Sequence, residues 1–255
     1  MSDDKTLERD RYDARAKSQM SKSALVTEVP LGSQTMASYL STPYLYYEAK
    51  LAELLGPGSR CLELGAGSGM HTRALLQTGA KVIASDISPN SLSLLRQRYR
   101  NKQDSIETVV ADMENLPFEA KSFDVVVSAG SLSYGEPGLV DAEIRRVLRR
   151  GGMLICVDSL NHNPVYRLNR WLHYLRGNRS RSTLKRIPDL TRIQALGNGF
   201  SDVDVQYFGA LSFTMPVVAR LLGEASAKAI SDRIDRWMCI RRAAFKFVLV
   251  AREFS

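Results

Sequence analysis

The run Cys61-Leu62-Glu63-Leu64 passes directly into Gly65-Ala66-Gly67-Ser68-Gly69. Three glycines at alternate positions behind an apolar strand leave few folds open. Glycine has no Cβ and takes positive φ, so the chain can turn sharply off a strand end and bring its backbone close to a ligand. A second apolar run, Lys81-Val82-Ile83-Ala84-Ser85, closes on Asp86, 21 residues beyond Gly65. That offset fits one β-α-β unit, and a carboxylate at its end suits the two hydroxyls of a ribose. Loop and carboxylate together predict a nucleoside site.

Further along, apolar strands and helices alternate. Strands are expected near 81–86, 106–112, 123–128 and 153–158, and the Ser88-Pro89 pair supplies an N-cap and a first-turn proline for a helix through Tyr99. Before the glycine loop, 43–55 has helical spacing and stops at Gly56-Pro57. His71 to Gln77 reads as a helix after the loop, and Glu143 to Arg150 as a helix that reaches a Gly151-Gly152 turn. Continuous apolar strands separated by helices predict an α/β fold with a parallel sheet covered on both faces. Residues 189–197, 202–208 and 244–250 add a helix and two more strands.

The dinucleotide fingerprint G-x-G-x-x-G/A would need a small residue at position 70, where this chain has Met70. Glu63-x-Gly65-x-Gly67-x-Gly69 instead resembles motif I of the class I S-adenosylmethionine (SAM)-dependent methyltransferases, in their small-molecule (methyltransferase type 11-like) branch. The resemblance runs from about 58 to 209 and includes the final strand. It takes in Val110-Ala111-Asp112-Met113, Phe123 to Ser128, and the Glu143–Gly152 segment. It implies a seven-stranded, mostly parallel, doubly wound sheet whose last strand is antiparallel. The implied cofactor is SAM. Glu63 would orient its methionine end or brace the loop, and Gly65, Ala66, Gly67 and Gly69 would approach it by backbone. Asp86 would take the ribose, Asp112 and Met113 would flank the adenine, and Ile87 and Ser128 complete the expected contact set.

In the resembled reaction the protein mainly aligns acceptor, methyl and sulfur, and orientation alone contributes roughly 7–11 kcal/mol. A hydroxyl acceptor also needs a base. His162, in Asn161-His162-Asn163-Pro164 after the fifth strand, is the candidate, with a loop-capping role as the alternative. Tyr134, in Gly130-Ser131-Leu132-Ser133-Tyr134, is a second candidate for touching the acceptor, with packing as its alternative. The loop after strand four is Ser128-Ala129-Gly130-Ser131, not the Asn/Asp-Pro-Pro-Tyr/Phe of amino-methylating DNA enzymes. A DNA acceptor is therefore not expected. The carboxylate of metal-dependent catechol enzymes is absent there too, and no HExxH or CxxC spacing occurs, so metal independence is expected.

At 255 residues, one α/β domain with additions is expected: an N-terminal arm over 1–43 and lid insertions over 159–190 and 210–241. Tyr12-Asp13 in the arm is placed to fold over the cofactor, the alternative being a surface helix. The start is charged and lacks an apolar h-region, and no run of about 18 apolar residues exists, so a cytoplasmic location is expected. Cys61, Cys156 and Cys239 are far apart and read as buried thiols.

The net charge of +8 is concentrated. Segment 159–190 holds Arg167, Arg170, Arg176, Arg179, Arg181, Lys185 and Arg186 against Asp189 alone. Within it Val165, Leu168, Trp171, Leu172 and Leu175 fall on one helical face. Three readings stay open: peripheral contact with anionic lipid, capture of a phosphorylated or carboxylated acceptor, and a lid helix with solvated arginines.

The expected function is transfer of a methyl group from SAM to a small molecule or saccharide, on oxygen, the acceptor being anionic or lipid-linked in one version. The rivals are a methyltransferase acting on RNA or another nucleic acid, a non-catalytic SAM-binding scaffold, and, last, an NAD-dependent oxidoreductase.

Overall fold

The computed structural model describes residues 3–22, 30–175, 181–238 and 241–255. Its centre is a seven-stranded sheet in the order β3-β2-β1-β4-β5-β7-β6. The strands are β1 (Arg60–Leu64), β2 (Lys81–Asp86), β3 (Ile106–Val110), β4 (Phe123–Ala129), β5 (Leu148–Ser159), β6 (Phe200–Phe208) and β7 (Lys246–Phe254). Strands β1 to β5 pair in parallel, and β7 lies antiparallel between β5 and β6. The strand order reverses between β1 and β4, and open α/β sheets bind ligands at the carboxyl ends of strands beside such a switch point.

The period of two along each strand sorts side chains onto two faces. Leu62, Leu64, Val126, Leu154, Cys156, Phe247 and Leu249 pack on one side with α5 (Pro137–Val147) and α8 (Leu190–Gly197). Cys61, Val82, Val125, Val127, Ile155, Val157, Val248 and Val250 pack on the other with α2 (Ser38–Leu54) and α3 (Thr72–Gln77). Helix α4 (Pro89–Arg98) covers β2 and β3, and α1 (Asp3–Lys22) packs against α4. Ser88 caps α4 by accepting the Ser91 N–H at 3.0 Å. Cys61 and Cys156 are free, buried thiols; Cys239 lies outside the described residues.

Two expectations shift. Helix α2 starts at Ser38, not at Pro43, so the proline sits inside it. An interior proline costs about 3 kcal/mol; Pro43 is itself buried, and Tyr47 and Leu51 seat the same helix in the core. After α5 there is no Gly-Gly turn either. Strand β5 begins at once at Leu148, and pairing with β4 jumps from Phe123↔Leu148 to Val125↔Met153. The extra residues bulge, with Gly151 at φ +73°, and Arg149 Nε on the bulge pairs with Asp124 at 2.7 Å.

Beyond β5, α6 (Pro164–Leu175), α7 (Arg181–Arg186) and α8 occupy the first insertion and its sequel; beyond β6, α9 (Met215–Leu222) and α10 (Glu224–Met238) occupy the second. Lys246 opposes both Ser159 and Phe208 in the sheet register, so both insertions leave from the same edge.

Candidate active site

At the end of β1, Gly65 takes φ +64° and Gly67 φ +55°, a region L side chains rarely adopt. The two glycines serve different ends. A Cβ on Gly65 would fall 2.4 Å from Ser131 Cβ, so the loop is clamped against the β4 end. A Cβ on Gly67 would meet nothing within 4 Å, so there the missing side chain leaves room for a ligand. The loop is tied across the sheet by Ala66 N–H to the Ser85 carbonyl at 3.0 Å, and Tyr99 donates its hydroxyl to the Gly69 carbonyl at 2.7 Å.

Asp86 stands opposite. Its Oδ2 accepts the Gly67 N–H and its Oδ1 the Ser88 N–H, both at 2.8 Å. An ionised carboxylate has about four acceptor sites, so two remain for ligand hydroxyls. Burial pushes the Asp86 carboxyl up from its ordinary range, while the backbone donors oppose the rise. Next to it, Asp112 accepts the Glu114 N–H at 3.0 Å and pairs with Lys5, whose ammonium also reaches Glu114 at 2.6 Å.

These groups border one cavity of about 230 Å³, lined by Gly65 to Ser68, Met70, His71, Asp86, Ile87, Asp112, Met113, Gly130, Ser131 and Tyr134. Another wall is α1, which presents Lys5, Glu8, Tyr12, Arg15, Ala16 and Gln19. Helix α1 therefore borders this cavity. Tyr12 donates to the Tyr134 hydroxyl at 2.5 Å, their rings edge to face at 5.6 Å. Burial and Tyr134 push the Tyr12 phenol far up, so it stays a donor. Asp13 accepts from the Ser88 hydroxyl and from the Asn90 N–H at the start of α4.

Of the residues expected at the site, Gly65, Ala66, Gly67, Asp86, Ile87, Asp112, Met113 and Tyr134 come together. Gly69, Ser128 and Glu63 stand behind the wall. Ser128 shares a hydrogen bond with Ser131, which in turn donates to the Leu64 carbonyl at 2.8 Å. Glu63 is buried on the α3 face and accepts from the Thr72 hydroxyl at 2.7 Å, so it braces the first turn after the loop. His162 is elsewhere. Its Nε2 accepts the Leu190 N–H at 3.1 Å beside the α8 start, as in the loop-capping alternative, and it does not line this cavity.

Sequence reasoning missed His71. It lines the cavity, stacks on Tyr44 at 5.0 Å with the rings 7° apart, and its Nδ1 is buried with no hydrogen-bond partner. Burial, with nearby Lys246 adding, holds its imidazole at about 4, so it is neutral at neutral pH.

Burial raises the Glu63 carboxyl to about 7 from an ordinary value of 4.5. The folded chain thus holds a proton that the unfolded chain releases between these values, so stability falls as pH rises through that window. Glu63 alone accounts for about 3 kcal/mol. Glu63→Gln is expected to flatten the Tm-pH curve between about pH 5 and about pH 8. Scanning calorimetry of both chains checks this, and parallel curves would show that Glu63 is not the titrating group.

Residues 62–156 match the family model described as a methyltransferase domain. A demethylmenaquinone methyltransferase from Clavibacter sepedonicus is 40% identical over 112 residues, 43% of this chain and 45% of that relative. A sterol 4-C-methyltransferase from Caenorhabditis elegans is 33% identical over 129 residues, 48% of this chain and 38% of the relative. The match thus spans less than half the length of these curated relatives. Among solved structures, the complex between the Trm112 methyltransferase activator and a methyltransferase of Haloferax volcanii aligns with a TM-score of 0.62 at 18% identity. That alignment covers 96% of this chain and 98% of the other. Residues 62–156 are thus similar to a methyltransferase domain, and the chain as a whole shares the fold of a solved methyltransferase structure.

Proposed function

We propose that this chain transfers a methyl group from SAM to a hydroxyl of a small molecule. The observation that supports it best is the convergence, on one cavity, of a glycine loop and carboxylate fit for a nucleoside with Tyr12, Tyr134 and a neutral His71. When bound, SAM supplies an electrophilic methyl on a sulfonium. Asp86 would hold the ribose through its two remaining acceptor sites, and Asp112 and Met113 would border the adenine. Helix α1 excludes water, which strengthens every polar contact beneath it. Tyr134 positions the acceptor hydroxyl, whose proton leaves to bulk water after transfer, while His71, held at about 4, borders the cavity as a neutral group too weak a base to take it.

Methylation at carbon is the second reading. It is favoured by the 33% identical relative named as a sterol 4-C-methyltransferase. A saccharide or RNA acceptor has no comparable support. Incubation with methyl-labelled SAM and paired acceptors, one carrying a free hydroxyl and one with that oxygen blocked, distinguishes the readings. Labelled O-methyl product from the first alone supports oxygen, and label on carbon in both replaces it.

Tyr134→Phe removes one hydrogen bond to the acceptor. We expect kcat/KM to fall roughly tenfold while SAM affinity is retained. Unchanged turnover would remove Tyr134 from the acceptor side.

A further inference from the structure

Helix α6 is built the wrong way round for a lid packed on its own domain. Val165, Leu168, Trp171, Leu172 and Leu175 are all exposed, Leu168 at 58%. The inward side holds Arg170, which is buried and donates to the Leu160 carbonyl at 2.9 Å. Helix α9 repeats the pattern: Val217, Leu221 and Leu222 are exposed, Leu221 at 75%, and Trp237 near the end of α10 is 90% exposed.

These elements share an origin. Asn163 Nδ2, at the start of α6, donates to the Ala210 and Ala243 carbonyls at 3.2 and 2.7 Å. Tyr166 bonds Ser212 and meets the Phe213 ring at 6.2 Å, in the turn that leads to α9. Asp235 of α10 accepts the Gly209 and Ala210 N–H groups at 2.7 and 3.1 Å. The start of α6, the turn into α9 and the last turns of α10 therefore meet at one sheet edge, around Ala210.

Part of the basic excess lies there too. Segment 159–190 has seven basic and one acidic residue, and 210–241 has five basic and three acidic. Arg170 is buried and Arg186 of α7 pairs with Glu136 at 3.2 Å, so these two do not belong to the surface. Arg167, Arg220, Arg233, Arg236 and Arg241 are exposed. An outward apolar stripe, two tryptophans and flanking cations are what an interfacial helix presents to a bilayer whose headgroups are anionic.

We propose that α6, α9 and the end of α10 form a docking surface for an anionic lipid bilayer. The surface is separate from the SAM cavity, so it stands or falls independently of the acceptor. The test is co-sedimentation of the full chain with phosphatidylcholine vesicles, with and without phosphatidylglycerol. Binding is expected only with phosphatidylglycerol, weakened by salt. Arg220→Glu with Arg236→Glu should reduce partitioning on the order of tenfold or more, and Leu168→Glu with Leu221→Glu should abolish it. Trp237→Ala, at the most exposed site, gives a variant whose fold is not at issue and should weaken binding. SAM titration is expected to be unchanged in all three. No binding to the anionic vesicles would overturn the proposal, as would native binding by the leucine variant. So would a dimer in sedimentation equilibrium that the leucine variant turns to monomer, since the face would then belong to a second copy.

Discussion

Asp86→Ala is expected to weaken SAM binding by a factor on the order of 10² or more. The carboxylate has two tasks and the substitution removes both. Toward the ligand, it offers the acceptor sites left after it has taken the Gly67 and Ser88 N–H groups. Hydrogen bonds to a charged acceptor contribute about 1.5–3 kcal/mol each, and two to a ribose reach the stated factor. Toward the protein, Asp86 pins the left-handed turn at Gly67 and the entry to α4, so its loss also loosens the loop. Asp86→Asn separates the two: one amide oxygen can still accept a backbone donor, and affinity should fall less than for alanine. Titration calorimetry of SAM against the three chains checks this. Equal affinities would take Asp86 out of the site.

Gly65→Val is expected to cost about 4 kcal/mol of stability and to abolish SAM binding. Two penalties add. A β-branched residue is strained at φ +64°, and its Cβ would lie 2.4 Å from Ser131 Cβ, too close to a backbone-anchored atom for a rotamer change to relieve. Ser131 cannot retreat without breaking its bonds to Ser128 and the Leu64 carbonyl. If the clash is the larger part, Gly65→Ala should recover some stability when Ser131 is also changed to Gly. Thermal unfolding gives the answer, and a native Tm for Gly65→Val would show that the close approach of loop and β4 does not matter.

The strand ends and the glycine loop were legible because their physics is local. An apolar run closing on Asp86, or Val110-Ala111-Asp112 at the end of β3, needs only the register of a parallel sheet to bring it to the cavity. The α1 wall was less legible. Tyr12-Asp13 stood out by residue type, but Lys5, Glu8, Arg15, Ala16 and Gln19 form a mostly polar stripe at helical spacing. A periodicity search that follows apolar residues passes over such a stripe.

The positions of the two histidines were hidden for a similar reason. His162 follows a strand end, the usual place for chemistry, yet a backbone N–H at the α8 start takes its ring nitrogen. His71 lies just after the loop, at the entry to a helix. Its ring is held by Gly32 and Tyr44: it stacks on Tyr44, and a Cβ on Gly32 would fall 2.1 Å from His71 Nδ1. Nothing adjacent in sequence signals that contact, because residue 32 comes from a separate segment ahead of α2. The bulge at Gly151 was hidden likewise, since a Gly-Gly pair reads equally as a turn or as a kink within a strand.

The most direct measurement is calorimetric titration of the full chain with SAM, followed by the same titration after replacing Asp86 with alanine. A saturable isotherm with one SAM per chain, lost or greatly weakened in the variant, is the predicted result. No heat of binding with a correctly folded native chain, or identical isotherms for the two, would contradict the assignment of the cavity as a methyl-donor site.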